Sequence, residues 1–217
     1  MARRKIKYKN LLLFLIILVI IALMVVYIVS FRISNIYVNG NKYLSEQEII
    51  ENGKLENYPR MVFTLSRNVS KNILKSPFIK TVKVKKMFTK ITIDVVENRP
   101  LFLYNGKTVL ENGNEVDEVF NLPILVSKID KDVYNDFVVK MGLINSDVLE
   151  NISEITYTPN NVDNNLFLFS MNDGNYIYVN LDKFISVNQY FDIVTNFNNH
   201  KGILYLDSGE YFKILDN

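Results

Sequence analysis

The sequence predicts an α+β protein: a single transmembrane helix at the N-terminus, a small domain of order β-α-α-β-β, and a β-rich α+β distal domain. Three observations predict it. An apolar run fills Leu11–Val29, with no charge between Lys9 and Arg32. The following stretch of about 65 residues carries strand and helix periodicities in that β-α-α-β-β order. Beyond Leu101, short apolar runs are separated by turn signals such as Asn105-Gly106 and Asp173-Gly174. The expected boundaries are 1–10 for a cytoplasmic tail, 11–30 for the membrane helix, 31–99 for the small domain and 100–217 for the distal domain.

The membrane helix follows from length. Nineteen residues at about 1.5 Å each span roughly 28 Å, close to a hydrocarbon core of about 30 Å. In lipid the backbone must satisfy itself, which makes the segment a helix. A cleaved signal peptide would have an apolar core of about 7–15 residues and a small-residue site after it; Tyr27-Ile28-Val29-Ser30-Phe31 is a poor one. Arg3, Arg4, Lys5, Lys7 and Lys9 precede the helix and only Arg32 follows closely. The basic flank stays in the cytoplasm, so the rest of the chain is expected outside.

In the small domain, Ile33, Ile36 and Val38 open a strand that ends at Asn39-Gly40-Asn41. Ser45 with Glu48 forms a capping box, and Leu44 with Ile49 a hydrophobic staple, so a helix starts there and ends by Gly53. A second helix is expected over Leu65–Lys75, with Leu65, Val69 and Ile73 on one face and Pro77 as its stop. Two strands follow. Val82 and Val84 alternate with Lys83 and Lys85; Ile91, Ile93 and Val95 alternate with Thr92 and Asp94.

This series resembles a POTRA domain. The residues that carry the resemblance are Ile33–Asn41, Leu44-Ser45 with Ile49-Ile50, Ser76–Val84, and Ile91–Pro100 with its Glu97-Asn98-Arg99 exit. Joined to a short basic tail and one membrane helix, it is similar to the FtsQ/DivIB family of bacterial cell-division proteins over nearly the whole chain. Met87-Phe88 stands where the family often has Trp-Pro.

The distal region starts with a hairpin across Asn105-Gly106, a turn at Asn112-Gly113-Asn114 and a short strand over Leu122–Val126. A helix is expected over Lys131–Met141, with Val133, Phe137 and Met141 on one face. Strands at Ile152–Tyr157, Leu166–Ser170 and Tyr176–Val179 follow. A long helix over Asp182–Asn198 should bury Phe184, Val187, Phe191 and Val194. Ile203–Leu206 and Tyr211–Leu215 close the chain around Ser208-Gly209. The resemblance implies an antiparallel sheet with packed helices.

Chemistry is sparse. The chain has no Cys and one His, His200, in a loop-like stretch, so thiolate and histidine metal sites are not expected. No HExxH, nucleophile elbow, Walker A or dinucleotide loop is present. Asp94 and the Glu115, Asp117 and Glu118 cluster read as solvated surface, although a glycosidase needs only two carboxylates in a cleft. No catalytic residue, metal or cofactor is therefore expected. A membrane-anchored cell-wall hydrolase and a POTRA-bearing export component stand as alternatives.

Charge is informative once divided. The net +2 comprises +5 in residues 1–31, +7 in residues 32–100 and −10 in residues 101–217. Lys80, Lys83, Lys85, Lys86 and Lys90 concentrate on one strand and turn. They could attract anionic lipid or cell-wall polymer at about 1 kcal/mol per residue, or be a solvated face. Nucleic acid is not expected as a partner outside the cytoplasm. The last strand is the other candidate surface, because an unpaired edge can accept a partner's strand. The resemblance implies that Leu206, Asp207, Ser208, Gly209, Glu210, Tyr211, Phe212 and Lys213 contact an FtsB-like protein (DivIC in Gram-positive bacteria). An FtsL-like protein would be a further partner. It also implies a non-enzymatic, single-pass type II scaffold at the division septum that helps control septal peptidoglycan synthesis.

Overall fold

The computed structural model describes residues 8–197, 200–207 and 209–215. The basic residues Arg3, Arg4, Lys5 and Lys7 lie outside them. The chain divides into two compact units, Met1–Glu97 and Asn98–Asn217.

The first unit begins with helix α1, Tyr8–Ser30, in which no residue is buried. It is long and apolar enough to cross a membrane. The order then runs β1 (Asn35–Asn39), α2 (Glu46–Asn52), α3 (Ser66–Ile73), β2 (Ile79–Met87) and β3 (Lys90–Glu97). Among the described residues these strands form a sheet of order β1-β3-β2. β1 runs parallel to β3 and β2 antiparallel to it; a parallel pair needs a long crossover, which α2 and α3 supply. Ile49 of α2 and Val69 and Ile73 of α3 are buried with Val38, Ile91, Ile93 and Val95 of the sheet.

Local chemistry fixes the turns. Ser45 and Glu48 form the reciprocal capping box that starts α2. Gly40 has φ of 86°, and a Cβ there would collide with the Val95 carbonyl oxygen; only glycine suits that turn. The Glu97 carboxylate accepts from the backbone N–H groups of Lys42 at 2.7 Å, Tyr43 at 2.7 Å and Leu44 at 3.1 Å. It thus ties the end of β3 to the loop before α2. Helix α3 is shorter than its periodicity suggests. Leu65 is its N-cap and is exposed, because a residue ahead of the first turn is not yet on the inner stripe. Pro77 follows the helix by several residues and sits in the turn leading to β2.

The second unit contains β4 (Pro100–Tyr104), β5 (Lys107–Leu110), β6 (Glu115–Val116), β7 (Ile124–Leu125), α4 (Lys131–Met141), α5 (Ser146–Asn151), β8 (Ile152–Tyr157), β9 (Leu166–Met171) and β10 (Tyr176–Asn180). A 3-10 segment, Leu181–Gln189, passes directly into α6 (Tyr190–Asn196), followed by β11 (Gly202–Tyr205) and β12 (Tyr211–Ile214). The β4–β5 turn has φ of 51° at Asn105 and 79° at Gly106, as a type I′ hairpin requires.

Three expectations change here. The nine-stranded sheet, of order β12-β11-β10-β9-β8-β7-β4-β5-β6, is mixed: β7 is parallel to both β4 and β8, and β11 to β10. The β10–β11 connection runs through a helix, which permits the parallel crossover. Helix α5 was not expected; six residues are too few for a clear period. The expected long helix is a 3-10 segment followed by a short α-helix. Leu181, Phe184, Val187 and Tyr190 are buried at a spacing of three, the 3-10 repeat, and the α-helical step of four then brings in Val194. That phase puts Tyr190 inside and leaves Phe191 exposed, reversing the expectation for Phe191. The expected endpoint at Asn198 lies outside the described residues.

The core beneath this sheet is aromatic. Phe137 of α4 stacks on Phe167 at 4.9 Å between ring centroids and meets Phe102 at 5.1 Å. Phe184 makes edge contacts to Phe167 and Phe169, both at 5.2 Å.

Candidate binding surfaces and relatives

The final strand is the outermost of its sheet. β12 pairs antiparallel with β11, placing Gly202 opposite Ile214, Leu204 opposite Phe212, and Tyr205 opposite Tyr211. Among the described residues no strand pairs with its other edge. Its backbone N–H and C=O groups there are a template for a further strand.

Alternation sorts the side chains. Phe212 turns inward, packs against the core and meets Phe197 at 4.8 Å. Tyr211 turns outward and is 50% exposed. It stacks on Tyr205 at 4.7 Å, and Tyr205 on Tyr178 at 5.5 Å, so three tyrosines from three adjacent strands form a ladder ending at the free edge. Glu210 and Lys213 are exposed, while Asp207 and Gly209 are half-buried. Leu206 is the departure. It is 1% exposed, and its N–H donates to the Tyr178 carbonyl at 2.7 Å; it belongs to the core and to the pairing with β10. Ser208 lies outside the described residues.

Three residues not singled out from the sequence position this strand. Asn175 is buried; its Oδ1 accepts from Gly202 N–H at 2.7 Å, and its Nδ2 donates to the Tyr190 hydroxyl at 2.8 Å. Tyr190 in turn donates to Asp173 at 2.6 Å. Burial, reinforced by the Asp173 carboxylate, raises the Tyr190 hydroxyl well above the ordinary tyrosine value. Gly202 lacks a Cβ, and one built there would meet the Phe212 ring at 2.5 Å. Without a side chain on Gly202, the Phe212 ring can lie across β11. A turn asparagine, a loop glycine and a tyrosine one step off the helical stripe gave no signal of this joint role.

The lysine strand is less uniform than expected. Register places Lys83, Lys85 and Lys90 on the outer face of the three-stranded sheet. Lys85 meets Asp94 at 2.9 Å. Asp94 also accepts from Asn39 Nδ2 at 2.9 Å, and that bond, followed by Lys85, holds its carboxyl below the usual aspartate value. Lys86 points the other way. Its ammonium donates to the carbonyls of Met61 at 2.7 Å and Thr64 at 2.5 Å, so it braces a loop and does not join a common basic surface with the others. Among the described residues, no three His, Cys, Asp or Glu side chains group to hold a metal ion.

The chain is similar to known proteins. Residues 31–98 match the model of the POTRA domain, FtsQ-type. Cell division protein DivIB of Bacillus subtilis (strain 168) is 27% identical over 94% of this chain and 83% of its own length. Residues 31–98 thus form an FtsQ-type POTRA domain, and the chain is similar to DivIB proteins along most of its length. DivIB of Enterococcus faecalis (strain ATCC 700802 / V583) is 29% identical over 82% of this chain and 51% of its own length. With the solved major extracytoplasmic domain of DivIB from Geobacillus stearothermophilus the chain shares 22% identity, over 47% of this chain and 95% of that one, at a TM-score of 0.39. This is a POTRA protein similar to cell-division proteins, with an α+β fold and an N-terminal apolar helix.

Proposed function

We propose that this chain is a non-enzymatic scaffold of the bacterial division machinery at the septum. Helix α1 holds it in the cell membrane, with the N-terminus in the cytoplasm and both units outside. The POTRA unit serves recruitment to the division site. The free edge of β12 accepts a strand from an FtsB/DivIC-like protein, and an FtsL-like protein joins through that complex. By holding these partners together the scaffold helps control septal peptidoglycan synthesis. The exposed Lys83 and Lys90 add attraction to anionic lipid or wall polymer.

The observation that carries this reading is the outer edge of β12, which pairs with no strand among the described residues, in a chain similar to cell-division proteins. Main-chain pairing supplies the affinity, and the outward Tyr211 and Lys213 supply selectivity. Proline at Tyr211 removes a backbone donor and bends the strand. Detergent-solubilised full chain carrying Tyr211→Pro should bind the DivIC-like partner at least about tenfold more weakly, or ~1.4 kcal/mol, with the unfolding of the POTRA unit unchanged. Full binding by a folded variant would overturn the edge-pairing reading.

A further inference from the structure

The first unit carries a second surface, at the point where the chain leaves α1. Residue Phe31 directly follows the helix, and its carbonyl accepts from Met61 N–H at 2.9 Å. Ile33 N–H donates to the Pro59 carbonyl at 3.1 Å, and Arg32 pairs with Arg60 as an isolated antiparallel bridge. The loop at 59–65 is thus fastened to the exit of the helix. Ser34 fastens the β2–β3 turn to the same place: its N–H donates to the Thr89 carbonyl at 2.8 Å, and its hydroxyl lies 2.8 Å from that of Thr89. Lys86 then braces the turn strand to the loop through the Met61 and Thr64 carbonyls.

What these braces hold in place is apolar. Phe88 is 92% exposed and Phe63 67%, and Met87, Val62 and Leu65 are exposed beside them. Phe88 has φ of 53°, a left-handed conformation in which a bulky side chain is an outlier. Such strain concentrates at functional positions. Ile28, Phe31, Met61, Val62, Phe88 and Thr89 line one cavity. Ile28 lies two residues, or about 3 Å, inside the end of α1. The hairpin tip therefore reaches back to the level of the last turn of the helix.

The charges here are specific too. Arg32 and Arg60 are bridge partners with exposed side chains, and like charges directly opposite repel. Among the described residues no ion pair holds either guanidinium. An anion between them removes the conflict, and guanidinium pairs suit phosphate oxygens.

We propose that this tip docks into the outer leaflet of the membrane. Phe88, Met87, Phe63 and Val62 enter the headgroup–acyl boundary, and Arg32 with Arg60 clasps a lipid phosphate. The occupant is lipid because the surface is continuous with a helix that itself requires lipid, and it lies at the level of that helix's end. The effect is to fix the tilt of the POTRA unit on its anchor. The proposal rests on the reading that α1 spans the membrane.

The chain has no Trp, so single-tryptophan variants report position directly. The full chain carrying F88W, L18W or K42W is reconstituted in phosphatidylcholine–phosphatidylglycerol vesicles whose acyl chains are brominated. Strong quenching is expected for L18W in the helix and for F88W at the tip, and little for K42W at the far end of β1. Combining F88W with Arg32→Ser and Arg60→Ser should reduce tip quenching several-fold, and by less in phosphatidylcholine alone, where the choline cation competes with the arginines for the phosphate; unchanged quenching in both overturns the phosphate clasp. Quenching of L18W without F88W, or equal quenching of F88W and K42W, overturns tip docking while leaving the membrane anchor intact. No quenching of L18W overturns the anchor and the docking together.

Discussion

The two units solve the burial problem with different residues. The cluster that holds the POTRA unit together contains Ile33, Val38, Ile49, Leu55, Met61, Val69, Ile73, Ile79, Ile91, Ile93 and Val95, with no aromatic side chain; Phe78 is buried outside it. The distal cluster is built on Phe102, Phe137, Phe167, Phe169, Phe184 and Tyr190. In the first unit, Phe31, Phe63 and Phe88 are on the surface instead. An exposed aromatic ring contributes little to stability, and several together on braced loops mark an interaction surface. In the distal unit the same residue type is structural.

The sharpest way to break this contrast is to truncate one ring in each unit. Phe137→Ala removes a fully buried ring that touches three others, and should destabilise the distal unit by about 3–5 kcal/mol. In urea unfolding of the solubilised chain, a transition of the distal unit should shift while that of the POTRA unit stays. In the aliphatic unit the tight points are backbone ones. Gly40→Ala forces a Cβ against the Val95 carbonyl at positive φ, and should cost about 2–3 kcal/mol, confined to the POTRA transition.

Titration separates the units in opposite directions. In the POTRA unit the Ser45 hydroxyl lowers the Glu48 carboxyl, and Asn39 followed by Lys85 lowers Asp94. Their contribution is present above the unfolded values of 4.5 and 3.8, and is lost as pH falls through the lower folded ones. In the distal unit, burial raises Tyr134, Tyr157 and Tyr190 above 10.0. Their contribution is full below pH 10 and is lost as pH rises from there. Stability measured across pH should therefore fall first in the POTRA unit on the acid side and in the distal unit on the alkaline side. Tyr190→Phe should flatten the alkaline limb, and Asp94→Asn the acid one.

The smallest effect is expected at the tip. Phe88→Gly removes a ring that supports no core and relaxes a strained φ, while adding freedom to the unfolded chain. The two terms oppose, and the POTRA transition should move by no more than about 0.5 kcal/mol. A loss as large as that of Phe137→Ala would place Phe88 in the core and erase the contrast between the units.

The elements that were legible in the sequence share one property: their signal is local. Lys131–Met141 has whole turns of a clean period, the Ser45–Glu48 box is four residues long, and Asn105-Gly106 specifies its own turn. The misread elements depend on a neighbour. Phe191 and Tyr190 differ by one position, and which is buried depends on a 3-10 segment set by packing beneath β9 and β10. Leu65 fits the α3 stripe by spacing alone, but the helix begins after it. Lys86 looked like one more cation of a strand. Its partners are carbonyls more than twenty residues away in the chain.

By itself, the sequence determined the apolar helix, the β-α-α-β-β order, the division of charge and the resemblance to a POTRA domain, because each is written in period, composition or an ordered series of short motifs. Tertiary structure decided that β11 lies parallel to β10, that Asn175 and Gly202 seat the last strand, and that its outer edge pairs with no strand among the described residues. It also decided that Phe88 stands beside the end of α1. These depend on which distant segments share a backbone hydrogen bond or a buried contact, and nothing local in the chain encodes that choice.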